Sequence, residues 1–129
     1  MTKIDPIIAV KDVEASSKWY QQVFGFTRAH GGDEFAVLVS EHDEIMLCLH
    51  RWEAHDHPTM ANSTITPGNG LILYFRTENI DEIRRNVEKQ GYIIDKDIHL
   101  NPNSTKREFS LRDPDGYYLT ITEFHKYDS

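Results

Sequence analysis

Two groups of residues in this chain have the side-chain types and the spacing that chemistry requires. Cys48 and His50 alternate along one apolar run, so their side chains share a face if that run is a strand. His55 and His57 form a His-x-His pair in the polar stretch that follows. A protonated imidazole could activate the thiol, and the histidine pair could bind zinc. A buried, unreactive cysteine and a solvated polar loop are the alternatives.

Motifs for other common chemistries are absent from the sequence. It contains no glycine-rich phosphate loop, no Gly-x-Ser-x-Gly elbow and no His-Glu-x-x-His segment. The net charge is −7, from 21 acidic and 14 basic residues. Such a chain repels phosphate backbones, so we expect no nucleic-acid partner. The acidity is compatible with a cationic ligand and equally with simple solubility.

The length of 129 residues predicts a single domain spanning 1–129 with one core. No apolar run approaches the roughly 20 residues that span a bilayer, so we expect no membrane partner. The first residues lack the apolar segment of a secretory signal, and the only cysteine, Cys48, cannot form an internal disulfide. These observations predict a cytoplasmic protein.

Two helices are needed to position these residues. The first is predicted over 12–24, with Asp12 as its N-cap and Gly25 as its stop. The second is predicted over 79–90, where Asn79 and Glu82 have the spacing of a capping box and a glycine follows.

Most of the remaining segments are apolar or alternate between apolar and polar side chains, which predicts strands. The predicted strands cover residues 6–10, 26–30, 34–40, 44–50, 70–76, 92–95, 106–112 and 117–124. The last two are joined by the turn Asp113-Pro114-Asp115-Gly116, in which proline and glycine suit the turn backbone. Residues 51–69 include a long irregular stretch, and a loop of that length in a compact domain is often functional.

The same order of elements occurs twice along the chain. Gly25 and Gly91 each end a helix and are 91 − 25 = 66 residues apart. Residues 1–50 and 70–129 therefore form two tandem β-α-β-β-β modules, connected by a loop at 51–69. This predicts an α+β fold in which a mixed β-sheet forms a partly closed cup with the helices outside.

Two segments of the chain resemble the vicinal oxygen chelate superfamily, which includes glyoxalase I, bleomycin-resistance proteins, fosfomycin-resistance enzymes and extradiol dioxygenases. Residues 10–26, VKDVEASSKWYQQVFGF, resemble its opening pattern D-x-x-x-S-x-x-F-Y-x-x-x-L-G-F. Residues 111–124, LRDPDGYYLTITEF, resemble its closing pattern D-P-D-G-N-x-x-E-L. The resemblance covers nearly the whole chain and implies the cup-shaped fold.

In the metal-dependent members of this superfamily, a divalent ion polarises oxygen atoms of the substrate. The resemblance places the four ligand positions at Asp5, Cys48, Ile72 and Thr120. Isoleucine cannot bind a metal, threonine is a poor ligand, and cysteine is too soft for Mg, Mn or Fe. We therefore expect neither metal nor other cofactor. If a divalent metal such as Zn, Ni, Mn or Fe is present, Asp5 and His50 are the fallback ligands.

Without a metal, the cup is expected to bind a small molecule. Strand alternation places apolar, aromatic and hydroxyl side chains on its inner face, which is the usual composition of a ligand site. No catalytic residue is identified. The expected ligand-binding residues are Met46, Cys48, His50, Trp52, Tyr74, Arg76, Tyr118 and Thr120.

The leading hypothesis is therefore a homodimeric protein that resembles the bleomycin-resistance members and confers antibiotic resistance. It would sequester a small cationic or aromatic molecule rather than catalyse a reaction. The first alternative is a metal-dependent lyase, isomerase or dioxygenase with a metal site displaced toward Asp5, His50, His55 and His57. The second alternative is a dimeric interaction subunit whose cup is packed shut.

Overall fold

The computed structural model describes residues 1, 3–53, 57–66, 68 and 70–124 of the chain. The chain divides into two compact units, Met1–Pro67 and Gly68–Ser129. Among these described residues, each unit contains one α-helix and one four-stranded sheet. Within the described ranges, no helix has both the length and the apolar character needed to span a bilayer.

The first unit has the predicted order β-α-β-β-β. Its strand order is β1-β4-β3-β2, with β1 parallel to β4 and the other pairs antiparallel. β1 therefore lies at an edge of the sheet, and β4 lies inside it. The elements are β1 (Ile7–Val10), α1 (Val13–Phe24), β2 (Thr27–Gly31), β3 (Phe35–Val39), β4 (Ile45–Arg51) and a short 3-10 helix (Pro58–Met60).

The predicted ends of α1 are confirmed. The Asp12 side chain accepts a hydrogen bond from the Ala15 N–H at 3.0 Å, which satisfies a backbone donor at the helix start. Gly25 ends the helix in the left-handed conformation, with φ of 77°. The apolar stripe of α1, which includes Tyr20 and Val23, is buried against β3 and β4.

The second unit repeats the order β-α-β-β-β. Its strand order is β5-β8-β7-β6, with β5 parallel to β8 and the other pairs antiparallel. The repeat deduced from the sequence is thus present in both units. The elements are β5 (Ile72–Thr77), α2 (Ile80–Gln90), β6 (Ile94–Leu100), β7 (Arg107–Arg112) and β8 (Tyr118–Glu123).

The capping box predicted for α2 is wrong. Asn79 is the N-cap residue, but its side chain makes no capping hydrogen bond. Its backbone, with ψ of 40°, lacks the extended conformation that aims a capping side chain at the first turn. Its N–H, the group that Glu82 would accept from, donates instead to Thr77 Oγ1 at 3.0 Å. Two acidic side chains in the first turn, Asp81 and Glu82, suit the positive end of the helix dipole.

The strand predicted over 92–95 is longer than expected, since β6 covers Ile94–Leu100. It is an edge strand, and its pairing with β7 shifts register twice. Edge strands tolerate charged residues such as Asp95, Lys96 and Asp97 because one side of the strand pairs with nothing in its sheet. Because of this polar composition, the apolar pattern that predicts strands did not extend over the whole of β6.

The turn at residues 113–116 is formed as predicted. The Gly116 N–H donates to the Asp113 carbonyl at 3.0 Å, and Gly116 has the positive φ of 91° that glycine tolerates. The buried Asp113 carboxylate accepts two backbone N–H groups of the same loop, both at 2.9 Å. The turn fixes the register in which Thr120 lies opposite Ser110.

In each unit, the core includes one face of the sheet and apolar side chains of the helix. The largest fully buried side chains on these elements are Val10, Val13, Tyr20, Val23, Leu38, Leu47 and Leu49 in the first unit, and Val87, Phe109, Leu111, Leu119 and Ile121 in the second. The opposite face of each sheet is called here the helix-free face, and it carries Cys48 and His50 in the first unit and Tyr74, Arg76, Tyr118 and Thr120 in the second.

Candidate functional site

The helix-free face of the first sheet carries Cys48 and His50. Cys48 lies beside Ile7 on one side and Val37 on the other, and His50 lies beside Ala9. The side chains of Cys48 and His50 therefore lie on the same face of β4, as predicted. Met46 differs, because β3 and β4 shift register next to it, so strand pairing does not assign it to this face.

Cys48 has the environment of an unreactive thiol. Only 4% of the residue is exposed. Burial raises the pKa of the thiol, and the negative charge of Asp5 raises it further. A cysteine with these surroundings stays protonated at neutral pH and is a poor nucleophile. This favours the alternative in which Cys48 fills space in the sheet.

The imidazole of His50 is buried and oriented by the backbone. Its Nδ1 lies 2.8 Å from the Arg51 carbonyl oxygen, and since a carbonyl only accepts, Nδ1 carries the proton. Its ring packs edge-on against Phe35 and against His57, with ring centroids 6.1 Å and 4.8 Å apart. The structure thus brings one histidine of the His-x-His pair onto His50. The other, His55, lies outside the described residues.

The fallback metal ligands of the first unit are Asp5 and His50. Asp5 is exposed and precedes β1, next to Pro6, whose carbonyl accepts the Cys48 N–H at 2.8 Å. The negative charge of Asp5 contributes to the raised pKa of the Cys48 thiol. Within the described ranges, no three His, Cys, Asp or Glu side chains are grouped so that they could hold a metal ion.

Trp52, one of the predicted ligand-binding residues, follows β4 directly and is half-buried.

In the second unit, the two implied metal positions do not fit a divalent ion. Thr120 is buried, and its hydroxyl lies 2.9 Å from the hydroxyl of the equally buried Ser110. Ile72, which is 57% exposed beside Tyr118, offers only hydrocarbon. Neither position supplies the carboxylate or imidazole that Mg, Mn, Fe or Zn would require there.

The predicted aromatic ligand-binding residues are present on the helix-free face of the second sheet. Tyr74 is 41% exposed, and its hydroxyl donates to Glu108 Oε2 at 3.2 Å. The hydroxyl of Tyr118 donates to Asp95 Oδ2 at 3.2 Å. The guanidinium of Arg112 lies 5.2 Å from the centre of the Tyr118 ring, within cation–π distance.

Arg76 lies on the same face, because it pairs with Thr122 just as Tyr74 pairs with Thr120. Its guanidinium is 5.2 Å from the centre of the Phe124 ring. This contact holds the cation over an aromatic surface at the end of β5.

Sequence reasoning missed Glu108 and His99, which contact each other on this face. Glu108 Oε1 lies 3.7 Å from His99 Nε2. Side chains alternate along β7, so the sequence could have placed Glu108 on the same face as Ser110. His99 was missed because the strand predicted over 92–95 ended before it.

Ion pairs attach strands β6 and β7 of the second sheet to α2. Arg84 of α2 makes two hydrogen bonds to Asp97 of β6, at 2.8 and 3.0 Å. Mainly through these bonds, it lowers the pKa of Asp97 to about 2. Arg107 of β7 bonds Asp81 and Glu123. The Arg107 side chain lowers the pKa of Asp81, and the Arg107 backbone N–H, 2.7 Å away, contributes most to the lowered pKa of Glu123.

Comparison with known proteins identifies relatives along almost the whole chain. Residues 3–121 match the model of the family described as the Glyoxalase/Bleomycin resistance protein/Dioxygenase superfamily. A bleomycin resistance protein from Geobacillus stearothermophilus is 28% identical in an alignment that covers 90% of this chain and 92% of that protein.

Two solved structures illustrate the shared fold. A glyoxalase-related enzyme from Fulvimarina pelagi has a TM-score of 0.75 at 14% identity, covering 96% of this chain and 89% of that one. A bleomycin resistance determinant encoded on the transposon Tn5 has a TM-score of 0.69 at 16% identity, covering 98% and 100%. One is called an enzyme and the other a resistance determinant, so the fold does not choose between these functions. The family match does establish that the chain belongs to the Glyoxalase/Bleomycin resistance protein/Dioxygenase superfamily.

Proposed function

We propose that this protein binds a small molecule of the bleomycin type and sequesters it without chemical change. In this proposal, no metal ion occupies the positions at which the superfamily's metal-dependent members hold one. The residues that contact the ligand are those predicted on the helix-free faces, together with Trp52.

The observation that carries the proposal is the chemistry of Ile72 and Thr120. Metal-dependent members of the superfamily need a Lewis acid held by charged or imidazole donors. Here one position is hydrocarbon, and the other is a neutral hydroxyl that bonds Ser110 inside the sheet. An ion at these positions would lack the negative charge that stabilises it.

Three further observations support a binding role. The relative that is 28% identical across 90% of this chain is named a bleomycin resistance protein. The net charge of −7 favours the approach of a cationic ligand. The half-exposed ring of Tyr74 and the neighbouring polar groups combine the apolar surface and directed hydrogen bonds of small-molecule sites.

Calorimetric titration with copper-bleomycin tests the proposal, with tryptophan fluorescence as a second readout. We expect saturable binding with a micromolar or tighter Kd. A titration with copper(II) sulfate alone is the control, because histidines bind copper without any drug. An absence of both heat and quenching would sink the drug-specific proposal.

Metal analysis of gently purified protein separates this proposal from the enzymatic alternative. We expect Ni, Zn, Mn and Fe each at well below one ion per chain. A stoichiometric amount of any of them would favour a lyase, isomerase or dioxygenase with a displaced site at Asp5 and His50. Loss of that metal in Asp5→Asn and His50→Phe variants would then identify its ligands.

We also propose that the protein acts as a homodimer. The edge strands β1 and β5 carry exposed apolar side chains, with Ile7 48% and Ile72 57% exposed. Exposed apolar edges favour association with another chain. Light scattering coupled to size-exclusion chromatography should give twice the chain mass, and a monomer mass at high micromolar concentration would contradict this.

A further inference from the structure

Glu108 lies on the helix-free face of the second sheet, where its carboxylate is mostly removed from solvent. Its side chain is 12% exposed, and its Oε2 accepts the hydrogen bond from the Tyr74 hydroxyl. Arg107, next to it in β7, points to Asp81 and Glu123 instead. Among the residues that the structure describes, no Arg or Lys pairs with Glu108. The site therefore holds a negative charge that is only partly compensated.

The imidazole ring of His99 faces the other carboxylate oxygen of Glu108, Oε1. Its Nδ1 lies 2.9 Å from the Asp97 carbonyl oxygen, which can only accept. Nδ1 therefore carries the proton, and in the neutral ring Nε2 presents a lone pair. That lone pair lies 3.7 Å from Glu108 Oε1, which is longer than a hydrogen bond.

Two acceptors thus face each other across a short gap. A nitrogen donor placed about 2.9 Å from each would see them at an angle of about 80°. Two N–H bonds of one ammonium group can reach both acceptors at this angle with modest bending. The negative charge of Glu108 also favours a cationic donor over a neutral one.

A divalent metal fits the same gap less well. It would need at least a third oxygen or imidazole ligand besides Glu108 and His99. In the part of the chain that is described, no group of three such side chains exists. The exposed ring of Tyr74, which bonds Glu108, adds a surface that attracts an organic cation.

We propose that Glu108 Oε1 and His99 Nε2 form a binding site for a primary ammonium group. Tyr74 positions the carboxylate through its hydroxyl. The proposal deepens the proposed function, on which it rests for the identity of the natural ligand, by naming the ligand group that is recognised. The test uses a simple amine instead of a drug, so that the two proposals can fail separately.

The probe is benzylamine, which is an ammonium ion at pH 7.5, titrated into isotopically labelled protein and followed by NMR. We expect saturable shifts at residues 99 and 108. Glu108→Gln should weaken binding about tenfold, because it removes the charge while keeping an oxygen for Tyr74. Glu82→Gln makes the same charge change on an exposed position of α2 and should leave the affinity unchanged.

Two further measurements complete the test. Benzyl alcohol, which has the same ring but no charge, should bind about tenfold more weakly than benzylamine. His99→Phe keeps an aromatic ring without the acceptor and should also weaken benzylamine binding, which provides a second variant if Glu108→Gln unfolds.

Three results would overturn this inference: no saturable shift in the parent protein, equal affinity in Glu108→Gln and Glu82→Gln, or equal binding of the alcohol and the amine. If copper-bleomycin binds while benzylamine does not, the proposed function stands and this inference fails. If benzylamine binds through Glu108 while the drug does not, the inference stands and the drug assignment fails.

Discussion

At the residue scale, the buried hydroxyl pair of Thr120 and Ser110 includes one of the positions at which the family resemblance implies a metal ligand in metal-dependent members. Each hydroxyl satisfies the other at 2.9 Å inside the second sheet. A carboxylate placed at position 120 would carry a negative charge into these buried surroundings. The pair therefore stabilises the sheet at a position where metal-dependent members of the superfamily hold a ligand.

The pair can be tested by a double-mutant cycle. Thr120→Val should destabilise the protein by about 1–3 kcal/mol, because it leaves the Ser110 hydroxyl buried without its partner. Adding Ser110→Ala should recover part of that loss, since no polar group then stays unsatisfied. Urea unfolding measures each free energy of unfolding. Strictly additive losses would show that the two hydroxyls do not depend on each other.

Cys48 gives a second prediction at the residue scale. Since burial raises the pKa of the thiol and only 4% of the residue is exposed, the folded protein should react slowly with a thiol reagent at pH 8. Labelling should become fast in urea, at the concentration at which the protein unfolds. Rapid stoichiometric labelling of the folded protein would instead indicate an activated cysteine.

At the element scale, the two helices begin in different ways although both have an Asx residue at the N-cap. Asp12 bonds the Ala15 N–H, whereas the side chain of Asn79 makes no capping bond. Asp12→Ala should therefore cost about 1 kcal/mol of unfolding free energy. Asn79→Ala is the matched control and should cost clearly less. Urea unfolding of the two variants compares them, and equal losses would contradict the assignment of caps.

The attachment of β6 to α2 should depend on pH. Arg84 lowers the pKa of Asp97 from 3.8 to about 2, so the folded state favours the ionised carboxylate. Its contribution to stability is present above the ordinary pKa of 3.8 and is lost as the pH falls through about 2. Asp97→Asn should thus lower the thermal unfolding temperature at pH 7 and have little effect near pH 2. The Asp97 side chain is 62% exposed, so water screens the pair and the effect should be modest.

The match between sequence and structure also differs from element to element. α1 was predictable because a short capping carboxylate and a glycine at its end act locally. The Asn79 cap was not, because a capping bond depends on a backbone angle that the sequence pattern does not report. β6 was only partly predictable, since its charged residues lie at a sheet edge.

At the scale of the whole molecule, most of the fold could be predicted from the repeat of the β-α-β-β-β order. Two helices ending at Gly25 and Gly91 and two matching sets of strands follow from local patterns, and the family match agrees with them. The pairing of Glu108 with His99 was beyond such patterns. It requires two register shifts between β6 and β7, which only the paired strands reveal.

We propose that this member of the superfamily binds a drug-like molecule without a metal ion of its own. The most direct test is calorimetric titration of copper-bleomycin into protein that has been stripped of metals with a chelator and dialysed. We expect saturable binding with a micromolar or tighter Kd, and the same affinity after Zn, Ni, Mn or Fe is added back. No binding, or binding that appears only once one of these metals is restored, would contradict it.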